Sequence, residues 1–138
     1  MVSGFTKTGV RLFTDGGARG NPGPAAIGGV LYQGSKKINT FSEYIGETTN
    51  NQAEYQALIK GLKLALASDI QELTCYLDSE LVVKQLNKEY KVKDVGLSKL
   101  FVKAWNLVIK FKKISFHHVR RELNKEADAL VNQALDSR

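Results

Sequence analysis

The sequence is poor in cysteine, proline and histidine, and it contains no long apolar run. Its single cysteine, Cys75, excludes an internal disulfide and a cysteine-based zinc site, and its place in a strand-like segment predicts a small core residue. No apolar stretch approaches the length of a membrane span, and residues 1–7 lack the apolar core of a signal peptide. We therefore expect a cytoplasmic protein that does not bind membranes.

The composition predicts one globular domain that covers residues 1–138. The chain is 43% hydrophobic and 25% charged, and 138 residues are enough to bury a core without disulfides. It has no internal repeat, low-complexity tract or linker. We expect a monomer and infer no obligate protein partner.

The net charge of +6 is concentrated in one stretch of the chain. Residues 84–125 contain twelve Lys/Arg and three Asp/Glu, whereas residues 1–83 contain seven and eight. A solvated helix face is one explanation, but so one-sided an excess favours a polyanionic partner. The charge alone does not identify that polyanion.

The hydrophobic periodicity predicts the element order βββαβααβα. The first three strands are expected to form an antiparallel meander, and the whole pattern indicates an α/β fold with a mixed sheet flanked by helices. The predicted strands are residues 10–15, 25–32, 37–45, 73–78 and 113–119, and the predicted helices are residues 50–67, 79–87, 97–111 and 124–135.

Turn and cap signals mark several of these boundaries. Both prolines and four of the twelve glycines fall within residues 16–24, which predicts a loop after the first strand. Gln33-Gly34-Ser35 predicts a hairpin turn. Thr49-Asn50-Asn51-Gln52 has the form of a capping box, and Asn124 is predicted to cap the last helix.

Four acidic residues stand at unusual places in this pattern. Asp15 and Asp78 close the first and fourth strands, whose carboxyl ends lie side by side if the strands are parallel neighbours. Glu54 and Asp128 lie on the apolar stripes of their helices, where a charge is costly unless something pairs it. Each has an ordinary alternative explanation, because a strand-end Asp often caps a turn and a first-turn Glu favours the helix dipole.

Four acids directed at one sheet edge are harder to explain in that way. Like charges at close range raise one another's pKa and destabilise the fold unless a divalent cation neutralises them. Oxygen ligands without thiols favour a hard cation, Mg²⁺ or Mn²⁺. Such a cluster can serve as a two-metal site for displacement at phosphorus, and the basic stretch would hold the phosphate chain nearby.

The motifs around these acids resemble those of type 1 ribonuclease H over nearly the whole chain. Four motifs in this order and spacing are highly specific, although TDG or NNQAE alone would be weak. They are Phe13-Thr14-Asp15-Gly16-Gly17 with Gly20-Asn21-Pro22-Gly23-Pro24, Thr48-Thr49-Asn50-Asn51-Gln52-Ala53-Glu54, Leu77-Asp78-Ser79 and Asn124-Lys125-Glu126-Ala127-Asp128-Ala129-Leu130.

The resemblance implies a five-stranded mixed sheet, with three antiparallel strands followed by two parallel ones. It implies endonucleolytic cutting of the RNA strand of RNA–DNA hybrids with two Mg²⁺ or Mn²⁺ ions. By motif position, the family's catalytic and metal-binding carboxylates fall on Asp15, Glu54, Asp78 and Asp128. The substrate-binding positions implied by the motifs are Gly16, Gly17, Asn21, Thr49, Asn50, Asn51 and Gln52, with Thr49 helping to hold a DNA phosphate.

The chain departs from many family members before its last aspartate, where they carry a catalytic histidine on a long loop. Here only Arg120-Arg121-Glu122-Leu123 separates the fifth strand from Asn124. His118 fits the alternation of the strand, so we interpret it as a core or sheet-face residue with His117 as its exposed neighbour. Arg121 resembles an arginine found in short-loop members, and we assign it a catalytic role in phosphate binding or product departure.

Two further departures concern substrate contacts. Glu80 stands where some relatives carry a glutamine that touches RNA, so we include it among the substrate-binding residues. The connection after Asp78 is too short for the extra helix that forms a basic handle in some relatives. Seven lysines provide a candidate replacement surface: Lys84, Lys88, Lys91, Lys93, Lys99, Lys103 and Lys110.

Two other functions stay open on the sequence alone. A nuclease of the same superfamily could also act on double-stranded RNA. A non-catalytic nucleic-acid-binding module could keep the fold, although such a module would have little reason to retain four unpaired acids.

Overall fold

A mixed β-sheet forms the centre of residues 9–138, which are the residues that the computed structural model describes. The predicted element order is confirmed within this range. The elements are β1 (Val10–Ala18), β2 (Gly23–Gln33), β3 (Lys36–Thr48), α1 (Asn50–Ala67), β4 (Glu72–Leu77), α2 (Glu80–Leu86), α3 (Val95–Val108), β5 (Lys113–His118), a 3₁₀ turn (Arg121–Leu123) and α4 (Lys125–Asp136).

The five strands of the described residues are ordered β3-β2-β1-β4-β5. β1 pairs antiparallel with β2 and β2 with β3, whereas β4 pairs parallel with both β1 and β5. The predicted α/β fold is therefore confirmed. The last parallel pair of β1 and β4 is Thr14 with Leu77, so Asp15 and Asp78 follow directly at one edge of the sheet.

Helices cover both faces of this sheet. α1, α2 and α3 pack on the face that presents Leu12 and Cys75, and both of these side chains are fully buried. Cys75 is a free core thiol, as predicted. α4 packs on the opposite face through Val131, Ala134 and Leu135. Asp15 alternates with Thr14 along β1 and so belongs to the face that α4 covers.

The predicted loop at residues 16–24 is wrong in its extent, because β1 continues to Ala18 and β2 begins at Gly23. The ladder runs on through the pair Ala18–Ala25. The glycines permit this, since a Cβ on Gly16 would lie 2.6 Å from the backbone nitrogen of Glu54. Gly16 therefore lets β1 extend beneath the start of α1. The predicted hairpin turn between β2 and β3 is confirmed, with Gly34 at φ 61°.

Two capping predictions need correction. The Thr49 hydroxyl caps α1, because it accepts a hydrogen bond from the backbone amide of Gln52 at 3.2 Å. The Gln52 side chain does not complete the capping box; it accepts a hydrogen bond from the Thr48 hydroxyl instead. Asn124 precedes α4, yet its side chain makes no cap hydrogen bond.

The bounds of α3 also differ from the prediction. The helix begins two residues early because the Asp94 carboxylate accepts from the Leu97 amide at 2.9 Å and caps it. It ends at Val108 because residues 109–112 turn into β5.

Among residues 9–138, no helix is both long and apolar enough to cross a bilayer. The prediction made on residues 1–7 lies outside the described range.

Candidate active site

The carboxyl ends of β1 and β4 bring three acidic side chains together. One carboxylate oxygen from each of Asp15, Glu54 and Asp78 lies within 4.8 Å of the other two. Asp15 belongs to β1, Asp78 follows β4, and Glu54 reaches the same edge from the first turns of α1. The predicted convergence of these three residues is thus found in the structure.

Glu54 holds the helix and the strand together at this edge. Its side chain is buried, and the backbone amide of Gly16 donates to its Oε1 at 2.6 Å. The second oxygen, Oε2, is also buried, and no N–H or O–H group in residues 9–138 donates to it. A buried carboxylate oxygen without a donor is costly unless it binds a proton or a cation.

The pKa values of the two buried carboxyls, Asp15 and Glu54, are both raised in the folded protein. Burial raises the pKa of Asp15 to about 7, and the charges of Asp78 and Asp128 act in the same direction, against a lowering contact with Glu54. Burial, followed by the charge of Asp15, raises the pKa of Glu54 well above its usual range. The folded structure therefore disfavours the ionised form of both carboxyls, and a nearby positive charge would favour it.

The residues at this edge fit a divalent cation. The donors are all carboxylate oxygens, which suit a hard cation, and a bound cation would satisfy Glu54 Oε2 and favour the ionised forms of Asp15 and Glu54. The acidic group could therefore hold a metal ion.

Asp128 reaches the same cavity from α4 but does not belong to the group of three within 4.8 Å. It lies near enough to Asp15 to raise the pKa of that carboxyl through its charge and a hydrogen bond. The Asn132 amide, one turn later, approaches Asp128 Oδ2 at 3.5 Å. The structure thus places all four predicted carboxylates around one cavity of about 320 Å³ and brings oxygens of three of them within 4.8 Å of one another.

Asn124, which was predicted to cap α4, lies against the acidic residues. Its side chain is 1% exposed, and its Nδ2 donates to the Thr14 carbonyl at 2.9 Å and to Asp78 Oδ2 at 3.2 Å. It therefore contacts the acidic group instead of capping α4. No local sequence pattern signals this contact, because an asparagine before a helix usually caps it.

Two of the predicted substrate residues, Asn21 and Asn50, form a hydrogen-bond network at the β1–β2 turn. The Ala18 amide donates to Asn50 Oδ1 at 2.8 Å, and the Asn50 amide donates to Asn21 Oδ1 at 3.0 Å. These bonds attach the turn to the start of α1. Gly17 and Asn51 line the cavity beside this network.

The other predicted substrate residues are placed differently. Gly16 lines the cavity, but its tight contact with α1 also gives it a packing role. Thr49 and Gln52 do not line the cavity, and Gln52 is turned toward Thr48 and α3. Glu80 is exposed at the start of α2.

Arg121 and His118, the two candidates for the role of the family's loop histidine, differ in their position relative to the acidic cavity. Arg121 lines the acidic cavity, whereas His118 does not. His118 was expected in the core or on a sheet face, and the core position is wrong, because His118 is exposed at the end of β5. His118 shares the sheet face of Phe116, away from Asp15, because strand residues alternate. His117, also exposed, packs against Tyr76.

Comparison with known proteins agrees with this geometry. The family model described as "Reverse transcriptase-like" matches residues 13–134. The solved RNase H1 of Halobacterium salinarum is 42% identical, superimposes with a TM-score of 0.91, and is matched over 94% of this chain and 98% of its own. The chain belongs to the ribonuclease H family.

Further ribonuclease H relatives support this assignment. LC11-RNase H1, solved in complex with an RNA/DNA hybrid, is 43% identical, with a TM-score of 0.88 over 93% of this chain and 97% of its own. The ribonuclease HI sequence of H. salinarum is 44% identical over 92% of this chain, and a bifunctional protein of Mycobacterium tuberculosis is 42% identical over 93%. This chain spans 64% of the former and 36% of the latter.

Proposed function

We propose that this chain is an endoribonuclease that hydrolyses the RNA strand of RNA–DNA hybrids with two Mg²⁺ or Mn²⁺ ions. The observation that carries the proposal is the convergence of Asp15, Glu54 and Asp78 within 4.8 Å at the sheet edge, where Glu54 Oε2 is buried without a donor in residues 9–138. The hybrid bound to LC11-RNase H1 supports the choice of substrate.

The four carboxylates would share the work of holding the ions. Asp15, Glu54 and Asp78 would supply the close ligand oxygens, and Asp128 would complete the site from α4. When bound, the ions supply an activated water and charge stabilisation at the departing oxygen. Arg121 adds a fixed positive charge in the same cavity, where it would contact the scissile phosphate or the leaving strand.

The network beside the cavity is suited to reading the hybrid. Asn21 and Asn50 use their side-chain oxygens within the network, and their NH₂ groups make no hydrogen bond within residues 9–138. Those donors, with Asn51 and Gly17, would face the 2′-hydroxyls and sugars of the minor groove. Gln52 and Glu80 would bind farther along the RNA.

The start of α1 would bind the DNA strand. Thr49 Oγ1 accepts a hydrogen bond from the backbone amide of Gln52. The Thr49 hydroxyl proton is therefore available for a phosphate oxygen at the positive end of the helix dipole.

The lysine-rich surface would contribute affinity rather than chemistry. Lys88 Nζ lies 4.5 Å from the centre of the Trp105 ring, and Lys84 Nζ lies 4.9 Å from that of Tyr90. These contacts hold the Lys84 ammonium group at the end of α2 and the Lys88 ammonium group on the connection to α3. Phosphates near them would add a salt-dependent attraction that does not depend on sequence.

A substrate panel tests the proposal. Cleavage with Mg²⁺ or Mn²⁺ is measured on a matched RNA–DNA hybrid, double-stranded RNA and double-stranded DNA. We expect internal cuts in the RNA strand of the hybrid. Cutting of double-stranded RNA would broaden the substrate class, and binding without cleavage would support the non-catalytic alternative.

We also propose that residues 1–138 form one domain of a protein that is monomeric and cytoplasmic.

A further inference from the structure

The amide of Asn124 is oriented by groups that can only accept hydrogen bonds. Its Nδ2 faces the Thr14 carbonyl and Asp78 Oδ2, at 2.9 and 3.2 Å. A carbonyl offers no proton, and neither does an ionised carboxylate, so only an NH₂ group satisfies both at once. An aspartate of the same shape would place an oxygen against these two oxygens.

The same residue connects three elements of the acidic site. Thr14 precedes Asp15 in β1, and Asp78 follows β4. The backbone carbonyl of Asn124 accepts from the Asp128 amide at 3.1 Å, so the residue also begins the helix that carries Asp128. One buried side chain thus lies where β1, β4 and α4 meet.

This arrangement leaves hydrogen bonds unmade that an ordinary helix cap would form. The side chain gives up the usual N-cap hydrogen bond of α4, and its Oδ1 is buried without a donor in residues 9–138. On the Asp78 carboxylate, the Asn124 amide donates to Oδ2. No N–H or O–H group of the described residues donates to the other oxygen, Asp78 Oδ1. The amide therefore fixes the rotation of the Asp78 carboxylate and leaves one oxygen for a ligand.

We propose that Asn124 is a positioning residue that orients the Asp78 carboxylate for divalent-cation binding and holds the strand before Asp15 in register with α4. The proposal rests on the proposed function, because it assigns Asp78 to a metal site. Residues that orient metal ligands in this way typically contribute about 10- to 100-fold in metal affinity or activity.

The first test uses the unaltered protein. In a ¹⁵N NMR titration with Mg²⁺, the side-chain NH₂ signals of Asn124 should shift together with the backbone signals of Asp15 and Asp78. Asn87 is the internal control, because its Nδ2 donates to the Phe116 carbonyl at 3.2 Å, away from the acidic site. Site signals that shift without any response from Asn124 would overturn the proposal. If no site signal responds to Mg²⁺, the proposed function fails and the positioning role fails with it.

The second test compares Asn124→Ala with Asn87→Ala. Both variants lose a side-chain amide that donates to a backbone carbonyl, so thermal unfolding reports their shared structural cost. For Asn124→Ala we expect Mn²⁺ affinity by calorimetry and kcat on the hybrid to fall by about 10-fold or more, with KM within about twofold. Asn87→Ala should keep both values. Equal Mn²⁺ affinity and kcat in the two variants would reduce Asn124 to a structural residue.

A third variant covers the case in which Asn124→Ala does not fold. Asn124→Asp preserves side-chain volume but replaces the donor, so its kcat should fall at least as far as expected for the alanine variant. Wild-type kcat in Asn124→Asp would contradict the role of the NH₂ group.

Discussion

The backbone amide of Gly16 donates to Glu54 Oε1 at 2.6 Å, and this bond joins the strand of Asp15 to the helix of Glu54. The contact requires a glycine, since a Cβ at residue 16 would press on the backbone of Ala53 and Glu54. The geometry of the acidic group therefore depends on a backbone approach that only the smallest residue allows.

Gly16→Ala should lower the free energy of unfolding by about 1–3 kcal/mol and reduce cleavage, because α1 must move away with Glu54. Gly17→Ala is the matched control for stability. A Cβ there would meet Val131 at an ordinary 3.8 Å, so the unfolding free energy should change by less than about 1 kcal/mol. Urea denaturation of both variants measures the difference, and equal losses would contradict the packing role of Gly16.

The raised pKa of Asp15 predicts a pH-dependent stability in the absence of divalent cations. Burial raises this pKa from 3.8 to about 7, so the folded state favours the protonated form. The stability that this group contributes is fully present below about pH 4 and is lost as the pH rises through about 7. Unfolding free energies measured in EDTA from pH 4 to 8 should therefore fall more steeply for the wild type than for Asp15→Asn.

Mg²⁺ should reverse this trend, because a cation favours the ionised carboxylates. Its stabilising effect should be larger at pH 8 than at pH 5 and should be reduced in Asp15→Asn. A wild-type profile that matches Asp15→Asn, with or without Mg²⁺, would contradict the assigned protonation.

Arg121→Ala should lower kcat by at least about tenfold with a smaller effect on hybrid affinity, because Arg121 lines the acidic cavity. The neighbouring Arg120 pairs with Glu122 at 3.9 Å and does not line that cavity, so Arg120→Ala is the matched control. Steady-state kinetics and hybrid binding separate the two effects. An unchanged kcat would make Arg121 a solvated charge, and a comparable loss in His118→Ala would transfer the role to that residue.

The sequence predicted the parts of this site that depend on periodicity. Asp15 and Asp78 each end an apolar run of the sequence, and Glu54 interrupts an apolar helical stripe, so their position at one sheet edge was predictable from spacing. The extent of β1 depends on packing against α1, which the sequence pattern does not show. Residues 16–18 resemble a loop because glycines mark turns, yet here they let the strand pass beneath α1.

The role of Asn124 was not predictable from local pattern. An asparagine before a helix usually caps it, and only the meeting of β1, β4 and α4 turns this side chain toward Asp78 instead. Likewise, alternation along β5 placed His118 in a buried series, but the strand ends there and leaves the side chain exposed.

The most direct test of the central claim is cleavage of a labelled RNA–DNA hybrid by the wild type and by Asp15→Asn, with and without Mg²⁺. Hybrid binding is measured on the same samples by fluorescence anisotropy. We predict that the wild type cuts the RNA strand only with the cation, and that Asp15→Asn binds the hybrid at least as well without cutting it. Cleavage that persists in Asp15→Asn would contradict the assignment of these carboxylates as the metal-dependent catalytic site.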